Sequence, residues 1–412
     1  MKASPSLPPA IVLGGDSAIA LTVIRELGRH GVPVIAVDQA AHALARRSRF
    51  VRQFVQPPAD GTPLEQWLPP LIRQSGAKVL FAIGEKTLLN LSELPDIIDG
   101  CRISTPRRDQ LAVVLDKTRT LEIARALGLS TPDCWQPRKG EDFAAEAAGL
   151  SYPAVLKWSD PPAIWALLKD AGLPFLKAEY AEDSQGLLGL LSRYDALGRW
   201  PMVQSWCGGY GMGQMLLMEQ GRALLRFQHR RLREYPATGG ISTLCAAVPP
   251  GEHAEQMRLS EALLAALGWR GSAMVEYRHD PETGRYWLME VNGRFWGSMA
   301  LASQCGVCFA WEEYRRALDP DAEEAPQPPY PPRRARFVVP DTKRLARIWR
   351  SPASGALSGR ARFSRWRETL SYLSDFFDRA TGYYIWDRND PMPFFTDMLA
   401  ILRRERHRDS AA

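Results

Sequence analysis

Tyr286-Trp-Leu-Met-Glu-Val-Asn-Gly-Arg-Phe-Trp-Gly-Ser298 is the stretch that decides the fold. In an extended chain successive side chains alternate between faces, so Glu290 and Asn292 point one way while Met289 and Val291 point into the opposite, apolar layer. Upstream, Ser272-Ala-Met-Val-Glu-Tyr-Arg278 reads as a second strand, and the Pro and Gly of residues 279–285 supply the turn between the two. A hairpin centred near Thr283 sets Glu276 across from Glu290, with Val275 facing Val291 and Tyr277 facing Met289.

Two carboxylates directly opposite each other repel unless a cation lies between them. A hard divalent ion with oxygen ligands answers that problem, and Mg2+ commonly uses one or two carboxylates plus the phosphates of a nucleotide. The stretch therefore points to a magnesium–nucleotide site at Glu276, Glu290 and Asn292. The plainer alternative is a solvated face that carries two glutamates.

The 412 residues exceed what one ordinary core organises, so two or three domains are expected. With 45% apolar and 24% charged residues the profile is that of a water-soluble globular chain. The six cysteines have no CxxC pair and no metal-ligand spacing, and read as reduced thiols. Ile11-Val-Leu13 is too short for a signal peptide or a membrane span, so the expected location is the cytoplasm. The formal charge of +6 is unevenly spread: residues 333–367 hold eleven Lys or Arg against the single acid Asp341. Such a run attracts phosphate or an anionic surface.

Along the chain, residues 10–38 read strand, Gly14-Gly15, amphipathic helix, and a strand ending in Asp38, the start of a parallel βαβ unit. The three glycines of a dinucleotide fingerprint are absent. Lys78 to Ile83 forms another buried strand, and Glu85 follows at its carboxyl end, where open α/β sheets place ligands. Leu111 to Leu127 has helical spacing, ended by Gly128 and Pro132. Tyr152 to Lys157 and Met202 to Trp206 read as strands, and Gln214–Met218 pairs with Ala223–His229 in a hairpin turning at Gln220-Gly221. A helix over Met299–Leu318 and a Pro-rich linker over 319–332 precede the basic segment.

At this point the residues resemble a family. Asp116-Lys117 at a helix, Pro153 to Lys157 on a strand, Val203-Gln204 as a hinge strand and Met289-Glu-Val-Asn-Gly-Arg294, in that order and spacing, are similar to the ATP-grasp enzymes, nearest to carbamoyl-phosphate-synthase-like ligases. The resemblance spans about residues 10–312. It implies a mixed α/β and α+β fold: an N-terminal parallel βαβ domain over 1–108, a two-part ATP-grasp domain with antiparallel sheets over 109–318 (small subdomain about 130–206), the linker 319–332, and a basic C-terminal extension over 333–412.

The resemblance also implies roles. Lys117 and Lys157 would reach the nucleotide phosphates as point charges, and the backbone of Gln204, Ser205 and Trp206 would hold the adenine edge. Glu276, Glu290 and Asn292 would hold Mg2+, or Mn2+ in its place. Arg294 would steady the transferred phosphoryl group or the substrate carboxylate. Read from the sequence itself, Arg231 and Arg233 at the basic strand end are candidates for the γ-phosphate or an anionic substrate, with a solvated basic face as the plainer reading, and Gly240 and Glu85 are candidates to face the substrate. ATP would convert a carboxylate to an acyl phosphate that an amine displaces, giving an amide and ADP; the partners are then a small carboxylate and a small amine. The oligomeric state is left open by the sequence, a homodimer being one reading.

The sequence departs from the family between Lys157 and the hinge. Where relatives carry a Gly-rich flap, this chain has Trp158-Ser-Asp-Pro-Pro162, and proline has no N–H to offer an anion. An ATP-grasp-like protein that binds a nucleotide or metabolite without turnover is therefore an alternative, and a nicotinamide-dependent oxidoreductase resting on Gly14-Gly15 and Asp38 is a third. For residues 333–367 the readings are a lid or dimer surface, or contact with nucleic acid or an anionic membrane through the interleaved Phe337, Trp349 and Trp366.

Overall fold

The computed structural model describes residues 7–159, 161–176, 178–237, 239–324, 326–350 and 363–409. Asp160 of the flap segment, Thr238 beside Gly240, and Arg360 and Arg362 of the basic run lie outside the described residues. The chain forms two compact units: residues 1–116, 212–276 and 291–412 make the first, and residues 117–211 and 277–290 the second.

The first unit begins as the sequence predicts. Ala10–Leu13 and Val34–Val37 are short, wholly buried apolar runs that pair in parallel, Ala10 beside Val34 and Leu13 beside Val37. Between them, the Ser17 hydroxyl accepts the Ala20 amide at 3.0 Å and starts the helix Ala18–Arg29. The six-stranded sheet has the order Val51–Val55, Val34–Val37, Ala10–Leu13, Val79–Ala82, Cys101–Ser104, Ile97–Ile98, and only the last strand is antiparallel. A parallel sheet buried on both faces needs apolar runs without alternation, which is the pattern of its three central strands.

A seven-stranded sheet has the order Tyr286–Asn292, Gly271–His279, Tyr210–Glu219, Arg222–Tyr235, Ile241–Ala247, Arg334–Arg336, Thr381–Tyr383. The adjacency of the first two strands is the expected hairpin, and its turn is closed by Asp280 N–H to the Arg285 carbonyl, 2.9 Å. The hairpin at Gln220-Gly221 is also present, and both residues have positive φ, 48° and 76°. That conformation suits the right-handed twist of the flanking strands. On the strand Tyr286–Asn292, Leu288 is buried as fully as Val291, so apolar packing covers both faces there.

The C-terminal residues are part of this architecture. Arg334–Arg336 pairs with Ile241–Ala247, and Thr381–Tyr383 runs parallel beside it. Asp390 receives Arg25 at 3.0 Å, Ser48 Oγ at 2.8 Å and the Arg49 amide at 2.8 Å, which ties the chain's end to the N-terminal sheet. One core joins residues of the parallel sheet, such as Val12 and Phe81, to Phe227, Cys245, Trp296, Phe309 and Tyr384.

Two helices differ from the sequence reading. The segment 111–127 is two helices, Arg108–Leu115 and Lys117–Ala126, broken at Asp116, whose ψ of 94° is extended. The segment 299–318 is likewise two, Met299–Gln304 and Phe309–Leu318, because Gly306 turns with φ 84°.

The second unit holds a four-stranded sheet, order Cys134–Trp135, Met202–Ser205, Ala154–Lys157, Glu179–Ala181, with antiparallel pairings throughout. Its own core is built from Leu156, Trp158, Leu187, Leu191, Tyr194 and Val203. The helix Pro161–Asp170 follows the sheet lysine closely. A proline in the first turn of a helix loses a hydrogen bond that would be unmade there in any case.

Candidate nucleotide and substrate site

In the second unit, Lys117 opens its helix and its ammonium lies 3.3 Å from Glu290 Oε2, both side chains about one-third exposed. Lys157 ends its strand opposite Met202, and its Nζ lies 3.4 Å from Gln204 Oε1. Gln204 is buried and donates in turn to Cys134 Sγ at 3.4 Å. Ser205 and Trp206 finish the neighbouring strand: the Ser205 amide donates to the Asp133 carbonyl at 2.9 Å and the Trp206 amide to the Pro153 carbonyl at 3.0 Å. Those two N–H groups are engaged in the sheet, so an adenine edge here would meet other groups of the same strand end.

The glycine-rich stretch after this strand has a structural reason in the second unit. Gly209 has φ 73°, and a Cβ placed there would lie 1.9 Å from the His279 carbonyl oxygen. Arg278 donates to the Gly209 carbonyl at 2.5 Å, and His279 meets the Tyr210 hydroxyl at 2.8 Å while stacking on Tyr286.

In the first unit, Arg231 and Glu276 form an ion pair of 2.5 Å, both largely buried. Arg231 Nη1 also meets Glu234 at 3.1 Å and donates to the Gly240 carbonyl at 3.1 Å. Desolvation pulls the guanidinium down, but the two carboxylates outweigh it and hold its pKa above the ordinary value. Glu234 was missed in the sequence, because strict alternation puts residues three apart on opposite faces. Register shifts between Arg231 and Glu234 remove that constraint.

Arg294 Nε lies 4.0 Å from Glu85 at the carboxyl end of the parallel sheet, as the sequence placed Glu85. Arg233 is directed elsewhere: it is buried and paired with Asp341 at 3.3 Å and with Asp375. A further pair not anticipated is His229 Nδ1 with Ser298 Oγ at 2.9 Å. Burial pushes the His229 pKa down to about 3, with Arg231 adding to the shift, so this imidazole is neutral at ordinary pH.

Arg294 also lines an open pocket within the first unit, with Arg102, Arg107, Arg270, Ser272 and Glu313. Glu313 accepts the Ser104 hydroxyl at 2.9 Å and the Ser272 amide at 2.7 Å. Burial raises its pKa, and those hydrogen bonds oppose the rise. The pocket thus offers guanidinium groups, of which Arg270 is paired with Glu219 at 3.3 Å, together with hydroxyls and the carboxyls of Asp96, Glu219 and the buried Glu313, to a small polar molecule.

No model of a known protein family matches the chain. It is 24% identical over 295 residues to a D-alanine–D-alanine ligase of Alkalilimnicola ehrlichii, covering 69% of this chain and 83% of that one. The biotin carboxylase domain of Hydrogenobacter thermophilus 2-oxoglutarate carboxylase, in complex with MgADP, ADP and bicarbonate, superposes with a TM-score of 0.59. Its sequence identity is 16%, over 77% of this chain and 71% of that one. The L-amino acid ligase of Bacillus licheniformis gives a TM-score of 0.54 at 16% identity, over 77% and 75% of the two chains. The chain has the ATP-grasp fold.

The oxygen donors of the residues expected to hold a metal suit a hard divalent ion. Glu276, Glu290 and Asn292 offer oxygens only, and Glu276 and Glu290 each hold a cationic side chain in this structure, at 2.5 Å and 3.3 Å. Among the described residues no group of three His, Cys, Asp or Glu forms a ready-made metal centre.

Proposed function

We propose that this chain is an ATP- and Mg2+-dependent ligase that joins a small carboxylate to a small amine. The observation that carries the reading is the pairing of each expected metal carboxylate with a cation, Lys117 on Glu290 and Arg231 on Glu276, on an ATP-grasp scaffold. A relative by sequence is a D-alanine–D-alanine ligase and a structural neighbour is an L-amino acid ligase, which favours amide formation.

In this account Lys117 and Lys157 bind the nucleotide phosphates, Lys117 exchanging its carboxylate partner for a phosphate oxygen. The strand end Gln204–Trp206 holds the base. Glu276, Glu290 and Asn292 would hold Mg2+, which would supply charge neutralisation at the phosphoryl groups. Arg294 steadies the transferred group through its fork, and Arg231 keeps the Glu276 carboxylate oriented. The substrate carboxylate attacks the γ-phosphorus, ADP leaves, and the amine then displaces phosphate from the acyl phosphate. Positioning and charge stabilisation do this work without a covalent enzyme nucleophile. The Arg-lined pocket beside Arg294 is the place proposed for an anionic group of the acid substrate, with Glu85 at its margin.

The test is ADP release from MgATP across a panel of amino acids and other carboxylates, alone and in pairs. ADP formed in step with an amide product, and only when an acid and an amine are both present, supports the ligase. Saturable nucleotide binding with no ADP from any pair favours the binding-protein alternative, for which the Pro161-Pro162 replacement of a Gly-rich flap is the motivating feature.

A further inference from the structure

The helix Arg365–Ser374 is inverted relative to an ordinary surface helix, which buries its apolar stripe and exposes its polar face. Its polar side is held against the first unit. Glu368 receives Arg344 at 2.6 Å, Thr369 accepts the Trp349 indole N–H at 3.0 Å, and the Tyr372 hydroxyl meets Thr342 at 2.6 Å. The Arg336 guanidinium lies 4.0 Å above the Tyr372 ring and 4.3 Å from that of Phe376.

With that side fixed, the apolar residues face out. Trp366, Leu370, Leu373 and Phe377 are 71%, 68%, 49% and 86% exposed. Spacings of four and three residues align Trp366, Leu370 and Leu373 in one ridge, Trp366 resting edge-on against Trp349 with ring centroids 5.3 Å apart, and Phe377 lies in the turn that follows the helix. Arg365 and Arg367 sit one position either side of Trp366, about 100° round the helix; Arg367 is exposed beside the ridge, and Arg365 is half-buried with its guanidinium 5.8 Å from the Trp349 ring. The nearby acids are committed: Glu368 to Arg344, Asp375 to Arg233, and Asp378 to Arg334 at 3.5 Å.

We infer that this ridge is an interfacial membrane-docking surface, whose occupant is a bilayer rich in anionic lipid. Large apolar side chains with a Trp at the rim enter the boundary between headgroups and acyl chains, and bordering arginines meet anionic headgroups. Charge complementarity selects this occupant. A second copy packed ridge to ridge would bring the arginine borders of two chains together, with the local acids already paired. Among the described residues no helix is long and apolar enough to cross a membrane, so the contact is peripheral. The inference is independent of the ligase reading.

The experiment is co-sedimentation of the full chain with vesicles of phosphatidylcholine alone or with 30% phosphatidylserine. The wild type should bind the anionic vesicles at 0.05 M NaCl and lose about tenfold in affinity by 0.5 M. L370S/F377S should lose at least about tenfold with unchanged circular dichroism and melting temperature, since those two side chains are mostly in solvent in the folded chain. R365Q/R367Q should weaken binding to anionic vesicles and flatten the salt dependence. Absence of wild-type binding to anionic vesicles at low salt overturns the inference, as does equal binding by the ridge variant. A wild-type dimer in light scattering that the ridge variant converts to monomer overturns it in favour of self-association. Binding to duplex DNA without binding to vesicles overturns it in favour of nucleic acid.

Discussion

Replacing Glu276 by Gln keeps the shape of the side chain and removes the charge that Arg231 meets at 2.5 Å. Breaking a buried pair from one side costs about 3–5 kcal/mol, because the remaining charge is stranded in a low-dielectric site. Arg231 would keep Glu234 at 3.1 Å and the Gly240 carbonyl at 3.1 Å, so the loss should fall lower, at about 2 kcal/mol. R231M strands Glu276 instead and should cost a similar amount. The double variant E276Q/R231M should recover part of both losses, leaving a coupling energy of about 1–2 kcal/mol. Urea unfolding of the four proteins followed by tryptophan fluorescence measures this cycle. Single losses that simply add, with coupling under about 0.5 kcal/mol, would show that Arg231 does not hold Glu276 and would refute its proposed orienting role.

Lys117→Met should leave stability within about 0.5 kcal/mol, because its partly exposed pair with Glu290 is solvent-screened, yet weaken MgATP binding at least about tenfold in calorimetry. Gly209→Ala should destabilise by about 2 kcal/mol or more, read as a lowered melting temperature, since a Cβ there meets the His279 carbonyl at 1.9 Å in a left-handed conformation. Burial raises the Glu26 carboxyl from its ordinary 4.5 to about 8, against the pull of the Ala310 amide. An acid raised on folding contributes stability that is full below its unfolded pKa and is lost as pH rises through 8. Glu26→Gln should therefore stabilise the protein more at pH 8 than at pH 5; an equal effect at both, in denaturant titrations, would contradict the shift.

Much of this architecture was legible because local signals and tertiary demands agree. Ala10–Leu13, the Ser17 cap and Val34–Val37 are a strand, a helix start and a strand on propensity alone, and the parallel sheet needs them so. Gln220-Gly221 likewise fixes its hairpin through positive φ. The break at Asp116 was hidden, since the apolar spacing runs on past a single extended residue. Arg334–Arg336 was illegible for two reasons. Three residues carry no readable period, and Arg336, fully buried against Asp341 at 2.8 Å, reads in sequence as part of a solvated basic run.

The candidate site divides in the same way. Glu276 and Glu290 stood out as carboxylates facing each other across a hairpin, Lys157 as a charge ending a strand, and Lys117 through the family resemblance. The partners they take did not, because Arg231–Glu276 reaches across the intervening strand Tyr210–Glu219 between two strands far apart in sequence, and Glu234 joins them through an irregular register. Arg233 carried the same sequence signal as Arg231, yet it lies buried against Asp341 and Asp375, both contributed by the C-terminal segment.

The most direct test of the central claim is titration calorimetry of ATP with and without Mg2+ on the wild type and on Glu290→Ala. The account predicts saturable binding that needs the metal in the wild type, and its loss in a variant that keeps the wild-type circular dichroism. Metal-independent binding of equal strength in both proteins would contradict it.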